Sequence, residues 1–289
     1  MLKTILKRIL QSIPTLLIVI TITFVLTRMI PGNPARTILG PQASAQDIAE
    51  MEIKLGLNKS KLEQYADYMI GILHGDFGTS YVYNRPVTSL IAERIPNTLV
   101  ITLTSLVIAI FIGVGIGVLS AIKQYSILDY IFMILALVGV SMPIFWLGLM
   151  LVNLFSVQLG WLPALGMGSM SKGIGDVISH MVLPCFCLAT IPTATFARIT
   201  RSSMLEVIRQ DYITTAEAKG QTELKIIIFH ALKNALIPVI TTIGIQFGHL
   251  LGGAVLTESI FAVPGVGKMM VDAIKARNYP VVQGAVLMV

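Results

Sequence analysis

Charged residues are scarce in this sequence. Only 12% of its 289 residues are Asp, Glu, Lys or Arg, 55% are hydrophobic, and the mean hydropathy is +0.81. Soluble globular domains carry about 25% charged residues, so this composition excludes an ordinary soluble domain and indicates that the solvent is a lipid bilayer. We expect the formal net charge of +6 to reflect membrane topology rather than nucleic-acid binding.

Cysteine is also rare. Cys185 and Cys187 are two positions apart in a stretch expected to be helical, where side chains at i and i+2 point away from each other. We expect neither a disulfide nor a metal site.

No ATP-binding Walker A loop is present. The nearest fragment, Gly265-Val266-Gly267-Lys268-Met269, lacks the earlier glycine and ends in Met where Mg²⁺ coordination requires Ser or Thr. The predicted spans hold no acid, Lys or Arg that could form an ion-driven relay, and their one imidazole, His249, is interpreted as structural. The chain is predicted not to be an enzyme, with no catalytic, cofactor-binding or metal residues, and its energy must come from another protein.

Long uncharged stretches dominate what is present. Those long enough to cross hydrocarbon must be helical, because lipid satisfies no backbone hydrogen bonds. They are Leu10–Thr27, Leu99–Leu119, Tyr130–Leu154, Met181–Ala197 and Ala235–Val255. A sixth begins at Pro280 and runs to Val289, short of the roughly 20 residues that a crossing needs. We predict an all-α, six-helix integral membrane protein whose last helix is truncated.

The placement of Lys and Arg predicts the orientation. The positive-inside rule does not apply reliably to loops longer than roughly 60 residues, so the Arg28–Thr98 loop is left out of the count. Most remaining basic residues then lie on the side of the N-terminus, which we place in the cytoplasm together with the Arg198–Asn234 loop. The domain prediction is a tail and first helix (residues 1–30), an extracytoplasmic insert (31–97), and a core (98–289) with a cytoplasmic loop (198–234).

The insert has helical patterns of its own. Pro31, Gly32, Asn33 and Pro34 stop the first helix. Helices are predicted over Ser44–Leu55, with Ser44 as a cap, over Leu62–Leu73, and over Val87–Ile95 leading into the second span, with a turn at Gly75–Ser80.

Glycines four residues apart occur in two spans. Gly113/Gly117 and Gly244/Gly248/Gly252 let helix backbones approach closely. For both sets we favour packing within this chain over a dedicated dimer contact.

The cytoplasmic loop is patterned as two amphipathic helices joined at Gly220. Thr222 is a predicted N-cap of the second helix, whose apolar positions repeat at helical spacing. These positions are Leu224, Ile227, Ile228, Ala231 and Leu232. The loop carries charges of both signs, unlike a basic lipid-binding face, so we predict that it docks to a protein.

Two segments of this loop carry a family signature. Tyr212-Ile213-Thr214-Thr215-Ala216-Glu217-Ala218-Lys219-Gly220 and His230-Ala231-Leu232-Lys233-Asn234-Ala235-Leu236-Ile237-Pro238 resemble the EAA loop of ABC-importer permeases. Other stretches resemble the dipeptide, oligopeptide and nickel branch of that family. They are Pro31–Ala35, Gly75–Ser80, Arg85–Val87, Ser141–Gly148, Leu159–Pro163, Gly252–Val255, Glu258–Phe261, Pro264–Gly267 and Tyr279–Gly284. At Glu217 many relatives in this branch carry Arg.

The resemblance implies a type I importer-like permease in the bacterial inner membrane. Its implied partners are a second homologous permease, two cytoplasmic ATPase subunits that bind ATP and Mg²⁺, and an extracytoplasmic solute-binding protein. The residues it assigns to ATPase coupling are Tyr212, Thr215, Ala216, Glu217, Ala218, Gly220, Asn234 and Pro238. Of these, we expect Ala216, Glu217, Ala218 and Gly220 to form the contact itself.

We therefore predict a permease subunit that forms half of a pathway for short peptides. One alternative is the same architecture importing nickel or a metal chelate, because relatives with these motifs carry either. The other is a membrane scaffold that holds an ATPase without transport. Substrate-dependent uptake separates these hypotheses.

Overall fold

The computed structural model describes residues 2–29 and 32–289, with the side chains of residues 2–5 and 9 outside that description. Every regular element in these residues is a helix, and Thr79 and Pro86 form an isolated antiparallel bridge. The prediction of an all-α fold is confirmed. Pro31, part of the predicted helix stop, lies outside the described residues.

Four described helices are long and apolar enough to cross a membrane. They are α1 (Leu2–Met29), α5 (Val87–Ile122), α8 (Ile174–Ile208) and α11 (Lys233–Ile260). Each contains one of the predicted uncharged stretches, and α5 also includes the helix predicted over Val87–Ile95. Prolines lie inside all four helices, as membrane helices tolerate when neighbouring groups bond the freed carbonyls. They are Pro14, Pro96, Pro184, Pro192 and Pro238.

The third predicted span is broken. α6 (Ile127–Ser141) is followed by α7 (Ile144–Leu151) and a π-helical segment (Val152–Gln158), and the two parts are bent by 105°. Met142 is extended, because a proline disfavours helical dihedrals in the residue before it, and Pro143 has no N–H to continue the helix. The prediction of one continuous helix over Tyr130–Leu154 was wrong. The sixth apolar stretch forms α13 (Tyr279–Met288).

The chain forms two compact units. The first contains residues up to Asn97 and from Pro264 onward, and the second contains Thr98–Val263. In the first unit, α2 (Pro34–Leu39), α3 (Ala45–Lys54) and α4 (Lys61–Leu73) build the insert, and α12 (Val266–Lys275) precedes α13.

The insert helices are defined by their caps. Ser44 accepts a hydrogen bond from the N–H of Asp47, whose carboxylate bonds back to Ser44, and Ser60 and Glu63 make the same capping box at α4. The predicted helices and the Ser44 cap are therefore confirmed. Elsewhere in this unit, the buried side chain of Asn278 accepts from the Tyr81 N–H at 3.0 Å and donates to Ser80 Oγ at 2.7 Å.

The second unit has its core where α5, α7, α8 and α11 meet. Its buried residues include Ile101 and Leu106 of α5, Leu151 of α7, Phe196 of α8 and Leu250 of α11. Both cysteines lie in this core as free, buried thiols.

The two glycine sets have different surroundings. A Cβ added at Gly113 would lie 2.6 Å from the Thr193 carbonyl oxygen, and one added at Gly117 would lie 2.5 Å from Thr200 Cβ, so α5 and α8 cross without room for a side chain. Packing within the chain is confirmed there. Outside α11 itself, no heavy atom of the described residues lies within 4 Å of a Cβ added at Gly244, Gly248 or Gly252, so that prediction was wrong for this stripe, which lies on an exposed face of α11.

Candidate coupling segment

The segment after α8 is a short helix that ends in a tight glycine turn. Helix α9 (Asp211–Ala218) is followed by Gly220, whose φ is 72°. The Gly220 N–H bonds the Glu217 carbonyl at 2.8 Å, and the Gln221 N–H bonds the Ala216 carbonyl at 3.3 Å. This pair of bonds is the Schellman motif, whose turning residue adopts the left-handed region that favours glycine. The predicted junction at Gly220 is confirmed.

The inner side of α9 is held by the chain's own core. Ile213 and Ala216 are 2% and 6% exposed and pack in one cluster with Met204, Ala121 and Ala231. Ala216, predicted to be part of the contact with a partner, has its side chain packed in this cluster of the chain's own core. Ile213, which the sequence prediction did not single out, performs the same anchoring.

The outer side of α9 is exposed. Tyr212, Thr215, Glu217 and Ala218 face away from the cluster, and Gly220 is exposed beyond them. The Thr215 hydroxyl donates a hydrogen bond to the Asp211 carbonyl at 2.9 Å, within α9 itself. Four of the predicted coupling residues are thus accessible on the surface of α9, next to the glycine turn.

Two hydrogen bonds connect α9 and its turn to the chain that follows. The Asn234 side-chain amide donates to the Tyr212 hydroxyl at 2.7 Å, and His230 Nε2 lies 2.8 Å from Gln221 Oε1. The structure therefore brings together Tyr212 and Asn234, predicted from separate parts of the signature. Pro238 lies one turn further inside α11.

Tyr212→Phe is expected to lower the transport rate about two- to tenfold without loss of the folded protein, because one exposed hydrogen bond contributes only about 0.5–1.5 kcal/mol. Asn234→Ala removes the same bond from its other end. In a double-mutant cycle the two losses should not add. Fully additive effects on the initial transport rate would show that the bond does not couple these residues.

The second helix of the loop departs from its predicted form. Thr222 occupies the N-cap position of α10 (Glu223–Lys225), but its side chain makes no capping bond. The chain then winds as a π-helix over Ile226–Leu232. Because π-helical hydrogen bonds join i and i+5, Ile226 and Ala231 are buried while Leu224 is 68% exposed. The predicted apolar face assumed ordinary α-helical winding.

A cleft of about 430 Å³ opens beside α9. Its apolar wall includes Ile208 and Ile213, and Arg209, Glu217 and Glu223 line it with both signs of charge. Such a surface suits a protein contact better than a lipid headgroup layer, which attracts basic faces.

The described residues contain no group of three or more His, Cys, Asp or Glu side chains placed to hold a metal ion. His249 lies exposed on α11. The sequence prediction missed an ion pair between Asp129 and Arg201 in this unit. Ser126, three residues before Asp129, has the spacing of a helix cap and indicates where α6 starts, but it does not identify Arg201 as the partner.

The chain is a multi-pass membrane protein that carries a short helix, α9, between two of its spans. The family model described as "Binding-protein-dependent transport system inner membrane component" matches residues 113–289, and the model of its membrane component's N-terminal part matches residues 1–102. The chain therefore belongs to this family. It is a multi-pass inner-membrane permease subunit of an ABC importer and not a catalytic subunit, and such permeases work with ATPase and binding-protein partners.

Several characterised proteins are similar along the whole chain. The dipeptide transport system permease protein DppB of Alkalihalophilus pseudofirmus is 47% identical, with 98% of this chain and 91% of that protein covered. The glutathione transport system permease proteins GsiC of Salmonella choleraesuis and Escherichia coli K12 are 44% and 42% identical, with 100% of this chain and 92% of each protein covered.

A solved structure shares the fold. It is an inward-facing conformation of the MetNI methionine ABC transporter, with a TM-score of 0.53 and 20% identity over 68% of this chain and 88% of that one. The predicted importer-permease fold is confirmed.

Proposed function

We propose that this permease carries short peptides across the inner membrane. Support comes from relatives that are 42–47% identical along the whole chain and are named for dipeptide or glutathione transport. Glutathione is itself a tripeptide, so the two names share one chemical class of substrate.

The import would be driven by ATP hydrolysis on separate subunits. The proposed complex has this chain, a second homologous permease, two cytoplasmic ATPase subunits that bind ATP and Mg²⁺, and an extracytoplasmic solute-binding protein. The observation that carries the coupling proposal is the form of α9. Its inner face is anchored by Ile213 and Ala216, while Glu217 and Ala218 remain accessible beside the Gly220 turn.

An anchored helix with a free outer face transmits displacement. If an ATPase subunit moved α9, the shared core would move the cytoplasmic ends of α8 and α11 with it. Tyr212, Thr215, Glu217, Ala218 and Gly220 are proposed to face the ATPase. Ala216, Asn234 and Pro238 are proposed to support α9 and the helix that follows.

The experiment is uptake by a bacterium that lacks its own peptide importers and expresses this chain with its companion subunits. We expect ATP-dependent accumulation of a labelled dipeptide, and loss of that accumulation when the binding protein is omitted. Labelled glutathione and labelled nickel are measured in parallel. Entry of nickel without either peptide would contradict the proposed substrate class, and assembly with the ATPase but no uptake of any substrate would contradict transport.

A further inference from the structure

An ion pair with a buried carboxylate and a partly exposed guanidinium joins α6 to α8 in the second unit. Asp129 is 2% exposed and accepts hydrogen bonds from Arg201 Nε at 2.7 Å and Arg201 Nη2 at 2.6 Å. The planar guanidinium fork matches a carboxylate, which fixes direction as well as distance. Its carboxylate is far more buried than those of the Lys59–Asp67, Arg85–Glu93 and Lys268–Asp272 pairs.

The same carboxylate also binds the end of α5 and the turn after it. Ser120, which is fully buried, donates its hydroxyl to Asp129 Oδ1, and the Tyr125 N–H donates to Oδ2 at 3.0 Å. Tyr125 has a φ of 63°, in the left-handed region that residues other than glycine rarely adopt. Asp129 thus holds three helices and a strained turn at one point.

This point adjoins the support of the coupling helix. Ser120 precedes Ala121, and Arg201 lies one turn before Met204 on α8. Ala121 and Met204 are the residues against which Ile213 and Ala216 of α9 pack. Any displacement of α9 therefore acts on the ends of α5 and α8, and both of these ends are bonded to Asp129 of α6.

Stability alone does not explain a buried pair. The cost of desolvating two charges offsets most of their attraction, and well-packed apolar residues often serve stability as well or better. The bidentate hydrogen bonding of Arg201 to Asp129 instead fixes the relative position of the two helices.

We propose that Asp129 and Arg201 are positioning residues that make the cytoplasmic ends of α5, α6 and α8 move as one body with α9. The inference rests on the proposed coupling role of α9 and extends it to the spans. Without the pair, the helices could shift relative to one another when α9 is displaced, and the displacement would not reach the transport pathway.

The test uses the complete purified complex in proteoliposomes and measures dipeptide molecules imported per ATP hydrolysed. Arg201→Lys keeps the charge but loses the fork, and the double variant Asp129→Asn/Arg201→Gln leaves no unpaired buried charge. Arg198→Lys makes the same substitution at an exposed position one turn earlier on α8 and is the matched control. The yield of assembled complex is measured separately by size-exclusion chromatography.

We expect the ratio to fall about fivefold, within the usual range of coupling between sites, in Arg201→Lys and in the double variant, while the control keeps the wild-type ratio. A purely structural pair would affect yield but leave the ratio of the assembled complex unchanged, so wild-type ratios in both variants would overturn the proposal. A wild-type complex that hydrolyses ATP but imports no dipeptide contradicts the proposed function instead. The variants are then compared by binding-protein-stimulated ATP hydrolysis, which should fall in both if the positioning role is correct.

Discussion

Gly220→Val is expected to reduce peptide uptake at least about tenfold, which corresponds to about 1.4 kcal/mol, while the chain still inserts in the membrane. Gly220 has a φ of 72°. An ordinary L-residue pays about 1–2 kcal/mol in the left-handed region, and a β-branched residue is a genuine outlier there. The turn would open, and both Schellman bonds that end α9 would be lost.

Two other substitutions at Gly220 can separate the effect of its backbone conformation from the effect of steric crowding by a side chain. No heavy atom of the described chain lies within 4 Å of a Cβ added at Gly220, so any small side chain fits. Asn tolerates the left-handed region far better than Val. We expect Gly220→Asn to keep most of the uptake and Gly220→Ala to fall between the two.

Three variants measured in one assay then distinguish the causes. Equal loss in the Asn and Val variants would mean that a partner needs the space above Gly220 rather than its φ. Normal uptake by Gly220→Val in a fully assembled complex would contradict the coupling role of the turn.

The membrane helices were predictable because each is marked in the sequence by a long stretch without charged residues. An uncharged stretch of about 20 residues has one stable form in lipid, and α1, α5, α8 and α11 follow it. The break at Met142 and Pro143 was missed because the apolar composition of a stretch predicts that it lies in the membrane but does not predict whether its helix continues straight or bends. The five prolines inside continuous helices show that proline alone does not predict where a membrane helix bends.

The coupling segment was predictable in its ends and not in its winding. The turn at Gly220 and the start of the next helix after Thr222 follow from local backbone preferences, although the Thr222 side chain makes no capping bond. The π-helix over Ile226–Leu232 depends on tertiary packing, which buries Ile226 and Ala231 together. The burial of Ala216, likewise, depends on Met204 and Ala121 from distant parts of the chain.

The glycine sets show the same limit. Spacing by four residues marks helices that can approach a neighbour, but it does not say which helix is near. Gly113 and Gly117 meet α8, whereas Gly244, Gly248 and Gly252 meet nothing in the described chain. Sequence spacing identified both stripes, but only the structure shows which of them packs against another helix of the chain.

Gly117→Ala is expected to abolish most of the assembled protein. The added methyl would lie 2.5 Å from Thr200 Cβ, 2.7 Å from the Ala197 carbonyl oxygen and 3.0 Å from the Arg201 amide nitrogen. Two of these atoms belong to the backbone of α8 and cannot rotate away. Overpacking of this kind costs about 1–3 kcal/mol or more. It would also push Arg201 away from Asp129.

The matched control lies on the same helix. Gly115 is exposed, and outside α5 no heavy atom of the described part of the chain lies within 4 Å of a Cβ added there. Since Ala favours a helix by about 1 kcal/mol over Gly, Gly115→Ala should leave the protein unchanged or slightly more stable. Chain abundance in membranes and the unfolding temperature of the purified complex measure both variants. Equal behaviour of Gly117→Ala and Gly115→Ala would show that α5 and α8 do not cross closely at Gly117, whereas loss confined to Gly117→Ala would confirm that the assembled protein requires this close crossing.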